Sequence, residues 1–138
     1  MKRVVNDKNS INFEEINLNE LKDNNQVFLK IDIEGSEYEI LDQIVSIKKK
    51  IQGIVIEFHE VTSNLDKIES FLKAIEDDLK LVHIHANNWS TQGLDDIPSS
   101  IELSFSKKPV LLNNNITFPH NLDQKNNPDA DEIKLVFS

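Results

Sequence analysis

The order of apolar segments along this chain predicts an α/β domain with a mostly parallel sheet flanked by helices. Three short segments rich in β-branched and aromatic residues alternate with two segments whose apolar residues recur at helical spacing. Parallel neighbours need crossover connections about as long as these helical segments. With 138 residues the chain is also long enough to bury one core.

Four strands are predicted, and their composition separates them into two kinds. The segments Val27–Ile33, Ile54–His59 and Leu81–Ala86 are largely apolar, as expected for strands buried on both faces. The segment Ile101–Ser106 alternates apolar and polar residues, which is typical of an antiparallel strand with one drier face.

Helix signals occupy the first two connections. Ser36 followed by Glu39 is a capping-box pattern, and apolar residues recur at helical spacing behind it. A second helix is predicted from Leu65 to Leu79, where apolar residues follow the i, i+3, i+4, i+7 pattern. The whole chain is expected to be a single domain over 1–138.

The composition changes in the last third of the chain. Residues 113–131 are rich in Asn, Asp and Pro, which favour turns and contribute little to a core. We therefore expect a core over about 16–107 and a polar C-terminal tail over 108–138.

Composition argues against several functions. A net charge of −9 argues against a nucleic-acid partner, because sequence-independent binders neutralise phosphates with Lys and Arg. The lack of cysteine excludes disulfides, thiolate metal sites and cysteine nucleophiles. The apolar runs are shorter than a membrane span, and no signal-peptide core follows Met1, which predicts a cytoplasmic protein without a membrane span.

Acids and histidines follow the three strands that are expected to be parallel, where open parallel sheets bind their ligands. If these strands are parallel and adjacent, we expect their side chains to meet at one edge of the sheet and to form a candidate functional site there. The candidates are Asp32, Glu34, Glu57, His59 and His85.

The residue types alone leave three uses of this cluster open. Carboxylates and imidazoles in a cleft can share a proton as general bases. They can also bind a hard divalent metal, although the sequence assigns no metal ligands. In the simplest alternative, Asp32 and Glu34 cap the following helix and its backbone amides, and the histidines only line a solvated end of the sheet.

The segment from Leu29 to Leu41 reads LKIDIEGSEYEIL. It closely resembles the Lys-hydrophobic-Asp-hydrophobic-Glu-Gly-x-Glu signature of FkbM-type methyltransferases. The similarity continues into Ile56–His59, where a Glu-x-His end is common in that family, and covers roughly Ile16 to Lys107.

This resemblance implies a fold and a reaction. The fold would be the C-terminal half of a class I, Rossmann-like methyltransferase, whose seven strands have the order 3-2-1-4-5-7-6 with strand seven antiparallel. This chain would supply strands 4, 5, 7 and 6. The reaction would be S-adenosylmethionine-dependent O-methylation of a hydroxyl on a sugar, polysaccharide or other secondary metabolite.

The resemblance also implies roles for the candidate residues. Asp32 would lie near the methyl-transfer centre, with Glu34, Glu57, His59 and His85 around the acceptor hydroxyl. Asp32 or His59 would accept the hydroxyl proton while the other residues orient the acceptor.

One feature of the family is missing from the sequence. A complete enzyme carries an Asp-x-Gly-x-x-x-Gly loop that lets the backbone approach the cofactor, whereas the glycines here are Gly35, Gly53 and Gly93. Cofactor-binding residues therefore stay unknown. The strand 27–33 would have an open edge, which we expect a homodimer, the N-terminal segment or a partner chain to cover.

Two other functions compete with methyl transfer by this chain. One is a non-catalytic remnant that serves as a carbohydrate or protein interaction module through the same edge of the sheet. The other, a weaker alternative, is a metal-dependent hydrolase built on the Asp, Glu and His side chains.

Overall fold

A sheet and two α-helices form the part of the chain that the structure, a computed structural model, describes: residues 26–89, 97–110 and 117–136. Short 3₁₀ turns connect several of these elements. In chain order they are β1 (Val27–Ile31), a 3₁₀ turn (Glu37–Glu39), α1 (Leu41–Ile47), a 3₁₀ turn (Lys48–Lys50), β2 (Ile51–His59), a 3₁₀ turn (Val61–Asn64), α2 (Leu65–Ile75), β3 (Lys80–Ala86) and β4 (Ser100–Ser106).

The sheet is mixed, with the strand order β1-β2-β4-β3. β1 pairs with β2 in parallel, and β4 lies antiparallel between β2 and β3. The expectation of a mostly parallel sheet is therefore wrong, because β4 separates β3 from the strand with which it would have paired in parallel. The order itself matches the predicted 4-5-7-6. Because β1, β2 and β3 all run in one direction, their C-terminal ends lie along one side of the sheet, the carboxyl edge.

One face of the sheet packs against the helices and forms the core. Ile54, Ile56 and Phe58 alternate along β2 on this face and are fully buried. The Phe58 ring meets Phe71 of α2 edge-on with 6.1 Å between centroids, and Phe71 meets Phe105 of β4 at 6.3 Å. These aromatic contacts fix α2 over the centre of the sheet, since aromatic rings dominate the apolar area that such cores bury.

The opposite face of the sheet is more polar and needs a glycine beneath one aromatic ring. A Cβ atom on Gly53 would lie 2.9 Å from the Phe28 ring and 3.2 Å from the carbonyl oxygen of Phe105. Phe28 itself is 67% exposed. Nearby, Lys30 and Glu102 form an exposed ion pair at 3.4 Å that contributes little to stability.

The C-terminal segment 117–136 packs against the same polar face through the histidines of β3. His85 Nε2 lies 3.3 Å from Glu132 Oε2. His83 Nε2 lies 2.8 Å from Asp123 Oδ1, although outside hydrogen-bonding alignment. Each of the two imidazoles of β3 thus lies next to an acidic residue of the tail.

Asn88 anchors this tail at the carboxyl edge. Its Nδ2 donates to the carbonyl oxygens of Asn127 and Ala130 at 2.9 and 3.3 Å. Its Oδ1 accepts from the backbone N–H of Asn127 at 2.7 Å, and the residue is only 6% exposed. The Asn88 side chain therefore both donates hydrogen bonds to the tail backbone and accepts one from it, which holds the tail to the end of β3.

Two helix boundaries differ from the sequence prediction. The capping box is wrong: the Ser36 side chain forms no cap hydrogen bond, and α1 begins only at Leu41. α2 ends at Ile75, and Leu79 is buried beyond it, just before β3. The periodic stripe extends past the helix because a buried residue in the connecting turn continues it. In the described ranges, no helix is long and apolar enough to cross a membrane.

The two phenylalanines of the sheet give a matched test of this packing. Phe58→Ala should lower the free energy of unfolding by about 3–5 kcal/mol, because it opens a cavity in the core. Phe28→Ala deletes the same atoms from an exposed site and should cost less than about 1 kcal/mol. Urea denaturation of both variants measures the difference. Equal losses would contradict the assignment of the buried face to the helices.

Candidate active site at the carboxyl edge

Side chains from β1 and β2 meet at the carboxyl edge of the sheet. One ligand-capable atom each from Asp32, Glu34 and His59 lies within 4.8 Å of the others. His59 Nε2 lies 3.7 Å from Glu34 Oε2 and 3.8 Å from Glu57 Oε1. We call Asp32, Glu34, Glu57 and His59 the edge cluster. It forms because β1 and β2 are adjacent and parallel, so that their polar C-terminal ends meet.

A fifth group, Glu37, lies beneath the edge cluster and is completely buried. Its Oε1 accepts hydrogen bonds from the backbone N–H groups of Ile33 and Gly35, both at 3.2 Å. The same oxygen lies 2.8 Å from His59 Nδ1. A single carboxylate oxygen thus connects the turn after β1 to the last residue of β2.

The backbone after β1 adopts a left-handed turn that surrounds this carboxylate. Glu34 has φ of 56° and Gly35 has φ of 99°, and only glycine adopts the left-handed region without steric cost. Successive residues of this kind turn their N–H groups toward one point and create an anion site. In this protein, the anion is the chain's own Glu37.

This arrangement bears on the alternative in which Asp32 and Glu34 cap the backbone amides of the following helix. Glu37, and not Asp32 or Glu34, accepts the backbone amides after β1. The side chain of Glu34 is 85% exposed, and Asp32 is exposed as well. Both carboxylates are therefore open to solvent and accessible to a ligand.

Tyr38 holds the backbone of His59. Its hydroxyl donates to the His59 carbonyl oxygen at 2.6 Å. Burial, followed by the charges of Glu37 and Glu60, raises the pKa of Tyr38 to about 12. The consecutive residues Glu37 and Tyr38 thus fix His59 at its ring and at its main chain.

The third strand end contributes through Asn87. Its Nδ2 donates to Glu57 Oε1 at 2.6 Å, and its Oδ1 accepts from the backbone N–H of Trp89 at 2.9 Å. Trp89 is 67% exposed, and its indole N–H donates to the Asn126 carbonyl oxygen at 2.7 Å. Asn87 therefore links Glu57 of the edge cluster to the backbone of an exposed aromatic residue.

His85 lies apart from the edge cluster. In the register of the sheet, His85 of β3 lies opposite Glu102 of β4, and Glu102 lies opposite Glu57 of β2. Two strand spacings, about 10 Å, thus separate His85 from Glu57. His85 shares the sheet face with Glu57, but its Nε2 faces Glu132 of the C-terminal segment.

Sequence reasoning missed Glu37 and Asn87 as site residues. Glu37 matches the final Glu of the Lys-hydrophobic-Asp-hydrophobic-Glu-Gly-x-Glu signature, and its position two residues after Gly35 is the one signal that distinguishes it from a helix-face residue. Asn87 gives no such signal, because an Asn after a strand is usual in turns.

The edge cluster has the chemistry to accept a proton or to orient a hydroxyl group. Asp32, Glu34 and His59 also offer the oxygen and nitrogen ligands that a hard divalent cation takes. A cradle for an adenosyl cofactor is not formed by the described glycines. The N–H of Gly35 is directed at Glu37, and Gly53 lies under the Phe28 ring.

Comparison with known proteins gives one match. The family model described as Methyltransferase FkbM domain matches residues 3–95 of the 138. No match to the chain was found among curated proteins or among solved structures. The matched range contains β1, β2, β3 and the whole edge cluster.

The raised pKa of Tyr38 predicts a measurable titration. Tyr38 is the single tyrosine of the chain, so absorbance at 295 nm reports its ionisation alone. We expect a midpoint near pH 12 in the folded protein and near pH 10 in urea. Tyr38→Phe is the control, because it should abolish the signal.

The same shift gives a pH dependence of stability. The folded state retains the Tyr38 proton to higher pH than the unfolded state does, so the stabilisation is complete below about pH 10 and is lost between about pH 10 and 12. Tyr38→Phe should remove this component from the unfolding free energy. A native midpoint near pH 10 would contradict the burial of the Tyr38 hydroxyl beside the charges of Glu37 and Glu60.

Proposed function

We propose, on the premise that this chain belongs to the FkbM methyltransferase domain family, that it serves as the acceptor-binding part of an O-methyltransferase. The acceptor is a hydroxyl of a sugar, polysaccharide or other secondary metabolite. The edge cluster supports this function most directly, because the family signature segment supplies Asp32, Glu34 and the buried Glu37 beneath them.

The proposed roles follow from position and exposure. His59 or Asp32 accepts the proton of the acceptor hydroxyl, since both lie at the open carboxyl edge. Glu34 and Glu57 orient the acceptor, and Asn87 keeps the Glu57 carboxylate in place. Positioning of this kind supplies a large part of the rate enhancement in transfer reactions. His85, which is held by Glu132, belongs to the surroundings of the site.

The methyl donor implied by the family is S-adenosylmethionine, which supplies an electrophilic methyl group. The sheet order β1-β2-β4-β3 supports assignment to strands 4, 5, 7 and 6 of a Rossmann-like methyltransferase sheet. Within the described residues, β1 pairs only with β2, so its second edge is free to continue the sheet. We propose that the donor side of the site adjoins this edge and comes from a partner chain, a second copy or a further part of the same protein.

A carbohydrate interaction module is the second candidate function. Trp89 favours it, because a fixed and exposed indole beside a polar edge is a suitable surface for stacking against a sugar ring. A cytoplasmic location stays a prediction for either function.

Substitution at the edge cluster tests methyl transfer. Transfer of a labelled methyl group from S-adenosylmethionine to saccharide acceptors, measured on the protein that carries this chain, should fall about 10²–10⁴-fold in His59→Gln or Asp32→Asn. His83→Gln is the matched control, since it removes an imidazole from the tail side of β3 and should leave the rate unchanged. Acceptor binding without methyl transfer by the unaltered protein would favour the interaction module.

Removal of metal ions distinguishes the proposed methyl transfer from a metal-dependent hydrolase. Under the proposed reaction the edge cluster works through proton transfer and orientation, so dialysis against EDTA should leave the rate of methyl transfer unchanged. A hydrolytic activity that disappears with EDTA and returns with Mg²⁺ would instead favour a metal-dependent hydrolase using Asp32, Glu34 and His59.

A further inference from the structure

The contacts of Glu37 restrict where the His59 proton can be. The backbone N–H groups of Ile33 and Gly35 can only donate, so Glu37 Oε1 acts as their acceptor. The same oxygen faces His59 Nδ1 at 2.8 Å. Because Glu37 Oε1 is the acceptor in both of these hydrogen bonds, it also acts as an acceptor toward His59. The donor in that contact is Nδ1, which therefore carries a proton.

A proton on Nδ1 determines the state of the other ring nitrogen. In a neutral imidazole one nitrogen donates and the other accepts, so Nε2 carries the free lone pair. The buried Glu37 carboxylate thus selects the tautomer of His59. Hydrogen-bond acceptors have the same effect on metal-bound and catalytic histidines.

The lone pair of Nε2 is directed toward the open side of the edge cluster. Its nearest carboxylate oxygens, on Glu34 and Glu57, lie 3.7 and 3.8 Å away, which is too far for a hydrogen bond. The His59 side chain is 18% exposed, so part of the imidazole is open to solvent. A hydroxyl group placed there would meet an acceptor that no described side chain already uses.

We infer that Glu37 is a positioning residue for His59, holding the ring in the Nδ1–H tautomer so that Nε2 takes the proton of the acceptor hydroxyl. The inference rests on the proposed function for its substrate, and it adds the assignment of His59 rather than Asp32 as the base. The O–H bond breaks, an Nε2–H bond forms, and the electron pair stays on the oxygen. When this oxygen bonds to the methyl group, the bond between the methyl carbon and the sulfonium sulfur of the donor would break, and its electron pair would go to the sulfur. Glu37 touches no substrate, because it is completely buried.

The tautomer can be measured without any activity. In the unaltered chain, labelled with ¹⁵N at histidine, long-range ¹H–¹⁵N spectra distinguish the protonated from the unprotonated ring nitrogen. His59→Gln identifies the resonances of His59 among the four histidines of the chain. At a pH where the ring is neutral, we expect His59 to carry its proton on Nδ1. A proton predominantly on Nε2 would overturn the inference.

Two substitutions of Glu37 test its part in this selection. Glu37→Met removes the acceptor, so the neutral ring should shift toward the Nε2–H form. Glu37→Gln keeps a carbonyl oxygen in place and should retain the Nδ1–H form. Tyr38→Phe is the matched control, since it releases the His59 backbone but leaves the ring contact, and its tautomer should be unchanged.

The outcomes separate the inference from the proposed function. A folded Glu37→Met chain that keeps the Nδ1–H form would refute a positioning role, whatever the methyl-transfer assay gives. If Glu37→Met does not fold, the spectra of the unaltered chain and of Glu37→Gln decide, and an Nε2–H form in either contradicts the inference. An Nδ1–H form in a chain without methyl transfer would leave the positioning role intact and reject only the reaction.

Discussion

The buried carboxylate of Glu37 is the interaction on which the rest of the site depends. It is fully buried, and one of its oxygens accepts two backbone N–H groups from the turn after β1 and faces the ring of His59. A buried carboxylate is costly unless such partners compensate for lost hydration. The turn and the histidine therefore compensate Oε1 of Glu37, whereas its Oε2 is buried with no hydrogen-bond partner among the described residues. Glu37 in turn links the turn to the histidine.

The fold explains why this arrangement is possible at the carboxyl edge. β1 and β2 are adjacent and parallel, so the turn after β1 lies beside the last residue of β2. On the other side of β2, the antiparallel β4 brings β3 close enough for Asn87 to reach Glu57. The phenylalanine contacts beneath the sheet support these strands from the core side, since a close-packed core has low compressibility.

The sequence was sufficient for much of the fold and for part of the site. Composition and periodicity located all four strands and both helices, because burial on one or two faces leaves a pattern in the residues themselves. Strand order came from the family resemblance, since the local pattern of β4 cannot show that it lies between β2 and β3. The capping box failed because Ser36 and Glu39 fit a local rule, whereas the buried Glu37 between them forms tertiary contacts that the rule does not consider.

The same limit explains why residue type and sequence position describe the surroundings of His85 and Glu37 incompletely. His85 has the residue type and strand position of a site residue, but the register of the sheet places it beside Glu102, and the tail supplies Glu132. Glu37 has the appearance of an ordinary acid in a helix start, yet the left-handed turn at Glu34 and Gly35 directs two N–H groups at it. Without that turn the two amides would lack this acceptor. The short signature segment therefore encodes both the exposed acids of the site and the buried group that orients its histidine.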